Sequence, residues 1–178
     1  MLCGIVVLGL GLLPARPSFA RTFPTTCQAA SGPFDFANRT VTLDHEVLTL
    51  TQGVYRSRNG RHAARVIDCR VNQSQTRAAA ILIDNPAGSG VFAYLIGAAH
   101  KDDKEMYSTP VFLGDRIRIE AVGVSGTIVT VWYLDRPPTA PLWTTPTQRT
   151  IARYAIRSDG TLHLITARRY SYQSQEKL

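Results

Sequence analysis

Apolar and polar residues alternate one by one along much of this chain, and this period of two constrains its fold more than any other feature. Val41 and Leu43 alternate with threonines, and Ile117 and Ile119 alternate with charged residues. Successive side chains of a β-strand point to opposite faces, so each stretch predicts a strand with one buried face. The chain is therefore expected to bury its core between β-sheets.

The alternation changes phase in its clearest strand. Ile117 and Ile119 share one face of that strand, whereas Val122 and Val124 fall on the face that carries the charged residues. One extra residue would return both valines to the apolar face. We therefore predict a β-bulge or a sharp bend near Ala121.

Two further runs, residues 78–83 and 91–99, are apolar at nearly every position. Such runs are typical of central strands that are covered on both faces. For residues 95–99 a helix remains an alternative, because alanine is a good helix former. A turn-rich segment at 84–90, with one proline and two glycines, connects the two runs.

Turn-forming residues divide the rest of the chain into short stretches. The Asn-Gly pair at 59–60 and the Ser-Asp-Gly sequence at 158–160 predict tight turns. The segment 136–148 contains four prolines and cannot be regular structure throughout. With about eight short strands and no convincing long helix, we predict an all-β fold, a single antiparallel sandwich or barrel-like domain. The expected divisions are a signal peptide (1–20), an N-terminal lead-in (21–39), the β domain (40–167) and a polar tail (168–178).

The first 20 residues have the form of a secretory signal peptide. The apolar run at 2–13 has the size of a signal core and is shorter than the roughly 20 residues of a membrane helix. Ser18 and Ala20 are small residues before an expected cleavage site that follows Ala20. No lysine or arginine precedes the run, and a buried N-terminal strand is the alternative. The signal predicts a periplasmic or extracellular protein without a transmembrane segment in its mature chain, and argues against nucleic acid as a partner.

Removal of the signal would leave two cysteines, Cys27 and Cys69. An even pair in an oxidising compartment predicts a disulfide, and two buried free thiols are the alternative. Zinc is disfavoured, because two cysteines alone do not complete a tetrahedral site. The expected bond ties the start of the mature chain to its middle.

The chain is moderately basic, with a formal net charge of +7 that falls to +6 once Arg16 leaves with the signal. Charged residues make up only 19% of the chain, as in an ordinary globular domain. A basic surface in a bacterial envelope attracts anionic lipid or glycan. The expected partner is an envelope protein, a glycan or a small anion.

No residues in the sequence have the spacing of a catalytic or metal site. Ser89 lies between two glycines, but a nucleophile elbow requires Gly-x-Ser-x-Gly between a strand and a helix. The histidines lack metal-ligand spacing, and the pattern of a calcium loop does not occur. We therefore expect no catalytic residue, no metal and no cofactor. A hydrolase that acts on envelope material with Asp84, His100 and Asp115 is an alternative, because the sequence does not say which of these side chains meet.

Four arginines are candidates for an anion-binding patch. Arg116 and Arg118 share one strand face, and Arg153 and Arg157 share another. If the two strands lie side by side, these guanidinium groups could hold a carboxylate or a phosphate. The alternative is a solvated outer face.

Three loops, marked by Ser89, His100 and Trp143, are candidates for a shared binding face. Trp143 could be a binding aromatic, although a tryptophan in a proline-rich loop more often anchors its own loop to the core. The loop of His100 is expected to be solvated, with a surface metal site as its alternative. Convergence of the three loops on one concave face would make a binding site credible.

Three motifs in order resemble a known group of proteins. The sequence Asp-Asn-Pro-Ala-Gly-Ser-Gly-Val-Phe-Ala-Tyr-Leu occupies 84–95, Phe-Leu-Gly-Asp-Arg-Ile occupies 112–117, and Pro-Thr-Gln occupies 146–148. Together they resemble small secreted bacterial β domains of unassigned function, over roughly residues 40–165. The resemblance implies a fold and a compartment, and it implies no reaction.

One segment departs from that group. Many of its members carry an acidic loop of calcium-binding type before the strand that begins here at Ala78, whereas this chain has Cys-Arg-Val-Asn-Gln-Ser-Gln-Thr-Arg at 69–77. The carboxylates are absent from this segment, so the resemblance implies no calcium ligand. The leading hypothesis is a non-enzymatic envelope protein that binds or stabilises a partner.

Overall fold

The computed structural model describes Cys27 and residues 32–44, 46–88 and 90–171, and all twelve elements bounded within them are β-strands. They are β1 (Thr40–Leu43), β2 (Glu46–Thr49), β3 (Val54–Arg56), β4 (His62–Val71), β5 (Arg77–Pro86), β6 (Phe92–Lys101), β7 (Lys104–Tyr107), β8 (Val111–Asp115), β9 (Arg118–Ser125), β10 (Ile128–Asp135), β11 (Gln148–Ile156) and β12 (Leu162–Ser171).

The strands form three antiparallel sheets that pack as three layers. A hairpin of β1 and β2 covers one face of a central sheet, in which β3 to β7 are arranged in chain order and β8 also pairs with β6. A four-stranded sheet, in the order β12-β11-β10-β9, covers the other face. Apolar side chains fill both spaces, which we name the hairpin core and the sandwich core.

The central sheet is apolar on both faces because its side chains alternate between these two cores. Ala80 and Leu82 of β5 belong to the hairpin core, whereas Ala79 and Ile81 belong to the sandwich core. The central strands expected from the continuous apolar runs are confirmed. The helix alternative for residues 95–99 is wrong, because those residues lie in β6 and pair with β5.

Two predictions about the extent of the fold need correction. The all-β class is confirmed, but the described chain has twelve strands rather than about eight, in three layers rather than a single sandwich. The polar tail was expected to begin at residue 168, yet β12 continues to Ser171, which pairs with Gln148. Strand pairing uses backbone groups, so the polar side chains at 168–171 do not prevent it.

The predicted bulge is present in β9. Ala121 pairs with Trp132 and Ile119 pairs with Tyr133, which leaves Glu120 as the extra residue between them. Val122 therefore returns to the sandwich core, and Ile119 packs against the same core. The change of phase in the sequence identified this irregularity to within one residue.

A disulfide between Cys27 and Cys69 ties the N-terminal lead-in to β4, with the two Cα atoms 4.7 Å apart. Both cysteines are buried in the hairpin core, together with Phe34 and Phe36 from the same lead-in. The expected pairing is thus present. The lead-in consequently contributes to the core, even though residues 32–39 form no regular strand.

Some predictions fall on residues that the structure does not describe. The signal peptide at 1–20 and its cleavage site are among them, and so is Ser89. Within the described part of the chain, we find no helix with the length and apolar character needed to cross a bilayer.

Candidate functional site

The loops at the start of β6 and at the end of β10 meet at one end of the molecule. The turn that follows β8 joins them. Asp115 accepts a hydrogen bond from the backbone N–H of Val91 at 2.9 Å, and the Arg116 N–H donates to the Val91 carbonyl at 2.7 Å. Arg136 begins the proline-rich loop and donates to the Asp115 carbonyl at 2.6 Å. The neighbourhoods of Gly90 and Trp143 therefore share a supporting turn.

The third candidate, His100, was expected in a solvated loop, but it is a half-buried residue of β6. His100 lies near the end of β6 that is opposite Phe92, and its ring contacts Phe34 edge to face, with 6.4 Å between the centroids. Two of the three predicted loops therefore approach each other and the third does not. Among the described residues, no group of three histidine, cysteine, aspartate or glutamate side chains is placed to hold a metal ion.

A cleft of about 620 Å³ opens beside the shared turn. We name it the Trp143 cleft, and its lining consists of Arg116, Arg136, Leu142, Trp143, Thr144, Thr145 and Pro146. The loop that forms most of this lining is closed at its base, where the Thr147 N–H donates to the Asp135 carbonyl at 3.0 Å. Further turns are formed by the Ala140 N–H on the Pro137 carbonyl and the Thr144 N–H on the Pro141 carbonyl. Because proline fixes φ, these turns restrict the loop to few conformations.

Arg136 places a buried cation at the floor of the cleft, since the residue is only 8% exposed. Its guanidinium donates to the carbonyls of Asp115, at 2.6 Å, and Arg116, at 3.5 Å. Carbonyl oxygens satisfy N–H groups without neutralising the charge. The guanidinium therefore retains its attraction for polar or anionic ligand atoms.

Arg116 holds an uncommon backbone conformation, with φ of 52°. A left-handed conformation in a residue with a Cβ costs about 1–3 kcal/mol, and Arg116 is one of seven non-glycine residues in the described part of the chain with a positive φ. Here it lets the turn point its carbonyls at Arg136 while the Arg116 side chain reaches Asp115, with nitrogen and oxygen 3.4 Å apart. The turn therefore forms part of the wall of the cleft, because Arg116 lines the cleft and the turn's carbonyls hold Arg136.

Trp143 is 88% exposed, and its neighbour Leu142 is 57% exposed. The alternative that this tryptophan anchors its loop to the core is therefore contradicted. An aromatic ring of this size loses much of its contact with water when it binds a ligand. The sequence could place Trp143 in a loop, but it carried no signal for the degree of exposure.

A second group of ionisable residues, which the sequence did not reveal, lies at the edge of the hairpin core. His62 is 7% exposed, and each of its ring nitrogens contacts a carboxylate. Nε2 lies 2.6 Å from Asp84 Oδ1, and Nδ1 lies 3.0 Å from Glu46 Oε2. Tyr55 donates to the other oxygen of Glu46 at 3.4 Å and packs edge to face on His62. His62 and Asp84 are brought together by the pairing of β4 with β5, and the spacing of these two residues in the sequence does not predict that pairing.

His62 has a pKa raised above 6.5. Burial alone lowers it, but the hydrogen bond and charge of Asp84, together with Glu46, outweigh that effect. With both ring nitrogens engaged, His62 has no free lone pair with which to act as a general base. The cluster is suited to fastening the β1–β2 hairpin to the central sheet.

The His62 cluster predicts that stability decreases with rising pH. A raised pKa in the folded state means that the stabilisation is complete below about pH 6.5 and is lost as pH rises through the folded pKa. We expect the melting temperature, followed by circular dichroism from about pH 6 to about pH 9, to fall. His62→Gln cannot carry the charge, so its melting temperature should show a smaller decrease. An equal decrease in both proteins would contradict the assignment.

The histidine proposed for a hydrolase lies apart from the two carboxylates, which flank Phe92 on the strands that neighbour β6. Asp84 is engaged by His62, Asp115 by Val91 and Arg116, and His100 lies at the other end of β6. The four predicted arginines are not side by side either, because β10 separates β9 from β11. Arg118 lies level with Leu134 and Arg153 with Thr130, while Arg116 lines the cleft and Arg157 follows the end of β11.

Comparison of the chain with protein-family models, with curated proteins and with solved structures found no match in any of the three. The resemblance to secreted bacterial β domains thus stays a prediction. The Trp143 cleft combines a buried arginine, a turn with a positive φ and an exposed aromatic ring, and we infer a function from this combination.

Proposed function

We propose that this protein is a secreted, non-enzymatic β domain that binds carbohydrate of the bacterial envelope in the Trp143 cleft. The observation that carries the proposal is the exposure of Trp143 beside the buried Arg136. A tryptophan face offers a flat apolar surface for the C–H face of a sugar ring. The N–H groups of the cleft arginines that do not donate to the Asp115 and Arg116 carbonyls, together with the threonine hydroxyls, supply hydrogen bonds for the ring hydroxyls.

The compartment is part of this proposal. The signal peptide expected at 1–20 and the Cys27–Cys69 disulfide both support export to an oxidising environment. A glycan of the envelope presents both an apolar ring face and many hydroxyls. A binding role agrees with the engagement of Asp84, Asp115 and His62 in structural contacts.

Replacement of Trp143 tests the proposal. We expect Trp143→Ala to weaken binding of oligosaccharides released from peptidoglycan by about 10- to 30-fold, the effect of removing a central aromatic contact. Trp143→Phe should retain part of the affinity, because a smaller flat ring remains. Isothermal titration calorimetry measures both.

The control is Val47→Ala, which removes another exposed apolar side chain, 61% exposed and located on β2. It should leave the affinity unchanged. Trp143→Ala should also leave the melting temperature unchanged, because the side chain contributes little to the core. Equal affinity of Trp143→Ala and the parent protein for every oligosaccharide that the parent binds would refute the proposal.

A further inference from the structure

The outer face of the four-stranded sheet carries a line of arginines that the cleft does not use. We name this surface the outer face: the side chains of β9 to β12 that point away from the central sheet. Ala152, Tyr154 and Ile156 of β11 point into the sandwich core, so the residues between them point outwards. The arginines of the outer face are Arg118, Arg149, Arg153 and Arg168.

We propose that the outer face binds an acidic polysaccharide, a linear glycan with carboxylates, whose chain continues from the Trp143 cleft. This inference rests on the proposed function and adds the charge and the length of the ligand. It differs from the four-arginine patch considered from sequence, since Arg149 and Arg168 replace Arg116 and Arg157.

The register gives the arginines a regular spacing. Arg149 is opposite Tyr170, Arg153 is opposite Thr166, and Arg168 lies between these two levels on β12. Diagonal neighbours on one sheet face are about 7–8 Å apart. The three cations therefore form a zigzag along the sheet, which suits a linear polymer better than a single small anion.

The outer face carries an excess of positive charge. Among its described residues Glu120 is the only carboxylate, and it lies between Arg149, at 2.9 Å, and Arg118, at 3.8 Å. Arg153 and Arg168 are exposed. The excess of guanidinium groups attracts a polyanion, and carboxylates match their planar donor pairs.

Aromatic residues accompany the arginines. Trp132 shares a row with Ile151 and Arg168, and its ring lies over Gly123, where a Cβ would be 3.5 Å from the ring. Tyr170 is 46% exposed on β12. Because its ring covers Gly123, Trp132 lies along the sheet instead of projecting from it. A flat floor of this kind favours sugar rings over insertion into a lipid bilayer.

The outer face extends to the end of β10 from which the loop of the Trp143 cleft begins. Arg118 and Arg149 are level with Leu134, two residues before Arg136 at the floor of the cleft. A glycan chain that occupies the cleft at one end can therefore extend over these arginines without crossing the body of the protein. The cleft would hold one end of the chain, and the outer face would hold its charged continuation.

The test compares two probes with the same sugar backbone: oligogalacturonate, which carries carboxylates, and its methyl ester, which is neutral. We expect the double variant Arg153→Gln/Arg168→Gln to weaken oligogalacturonate binding by about fivefold to tenfold, the effect of losing two exposed charge pairs, and to reduce its dependence on salt. Binding of the methyl ester should be unchanged. Arg58→Gln, an exposed arginine in the turn before β4, is the matched control and should have no effect.

The remaining outcomes separate this inference from the proposed function. If Trp143→Ala weakens the binding of both probes and the double arginine variant weakens the binding of neither, the proposed function of the cleft is supported and the outer-face inference is overturned. If the double arginine variant weakens oligogalacturonate binding and Trp143→Ala weakens the binding of neither probe, the outer-face inference is supported and the proposed function of the cleft is refuted. Loss of binding to phosphatidylglycerol vesicles in the arginine variant, with oligogalacturonate binding intact, would identify a lipid surface and overturn the inference.

Discussion

Removal of the Cys27–Cys69 disulfide is expected to lower the free energy of unfolding by about 4 kcal/mol, because the bond restricts the unfolded chain. The two cysteines are separated by 42 positions, and on the chain-entropy model a loop of that length gives this magnitude. Both are buried in the hairpin core, so the bond also holds the lead-in, with Phe34 and Phe36, against the central sheet. Chemical denaturation with and without a thiol reductant measures the loss.

The double variant Cys27→Ala/Cys69→Ala separates the bond from the reductant. It should have nearly the lowered stability of the reduced parent protein, and reductant should not change it further. Equal denaturation midpoints for oxidised and reduced parent protein would show that the bond does not form in solution. Intact mass under the two conditions, which differs by two hydrogens, is the independent check.

The sequence allowed much of the sheet structure to be predicted, because burial on one or two faces determines residue type directly. Continuous apolar runs identified β5 and β6 as central strands, and the change of phase identified the bulge at Glu120. Both are local signals that a few neighbouring residues carry. The disulfide was predictable for a different reason, because the expected mature chain contains only Cys27 and Cys69.

The third layer could not be predicted in the same way. The alternation of Val41 and Leu43 shows that β1 has one buried face, but not which surface covers it. The hairpin core exists because β5 and β6 are apolar on the side away from the four-stranded sheet. Covering that side requires long-range packing, which short-range periodicity does not encode.

The candidate site was predictable only in part. Trp143 and Arg116 were singled out, whereas Arg136 became important only when its guanidinium was found on the carbonyls of the Asp115 turn. The pair of His62 and Asp84 depends on the register of β4 and β5, which a bulge between Val66 and Asp68 shifts. Unlike the bulge in β9, the one in β4 left no change of phase that we could identify in the sequence, so the side-chain partners across this pairing stayed hidden until the fold was known.

Replacement of Gly160 by alanine is expected to destabilise the protein by about 2–5 kcal/mol, since it combines backbone strain with overpacking. Gly160 has φ of +82° in the turn between β11 and β12. A Cβ at this position would lie 2.7 Å from the carbonyl carbon of Met106 and 2.9 Å from the backbone nitrogen of Tyr107. Both obstacles are backbone atoms of β7, so they cannot move aside as a side chain would. The turn and β7 would have to separate, which would loosen the four-stranded sheet on the central sheet.

Gly60→Ala is the matched control for this substitution. Gly60 also has a positive φ, +69°, but nothing lies within 4 Å of the position that a Cβ would take there. It therefore incurs the backbone strain without the collision, and its cost should be about 1 kcal/mol. The difference between the two variants in equilibrium denaturation measures the closeness of the turn to β7. Equal losses would mean that the turn at Gly160 does not pack against β7 as the structure places it.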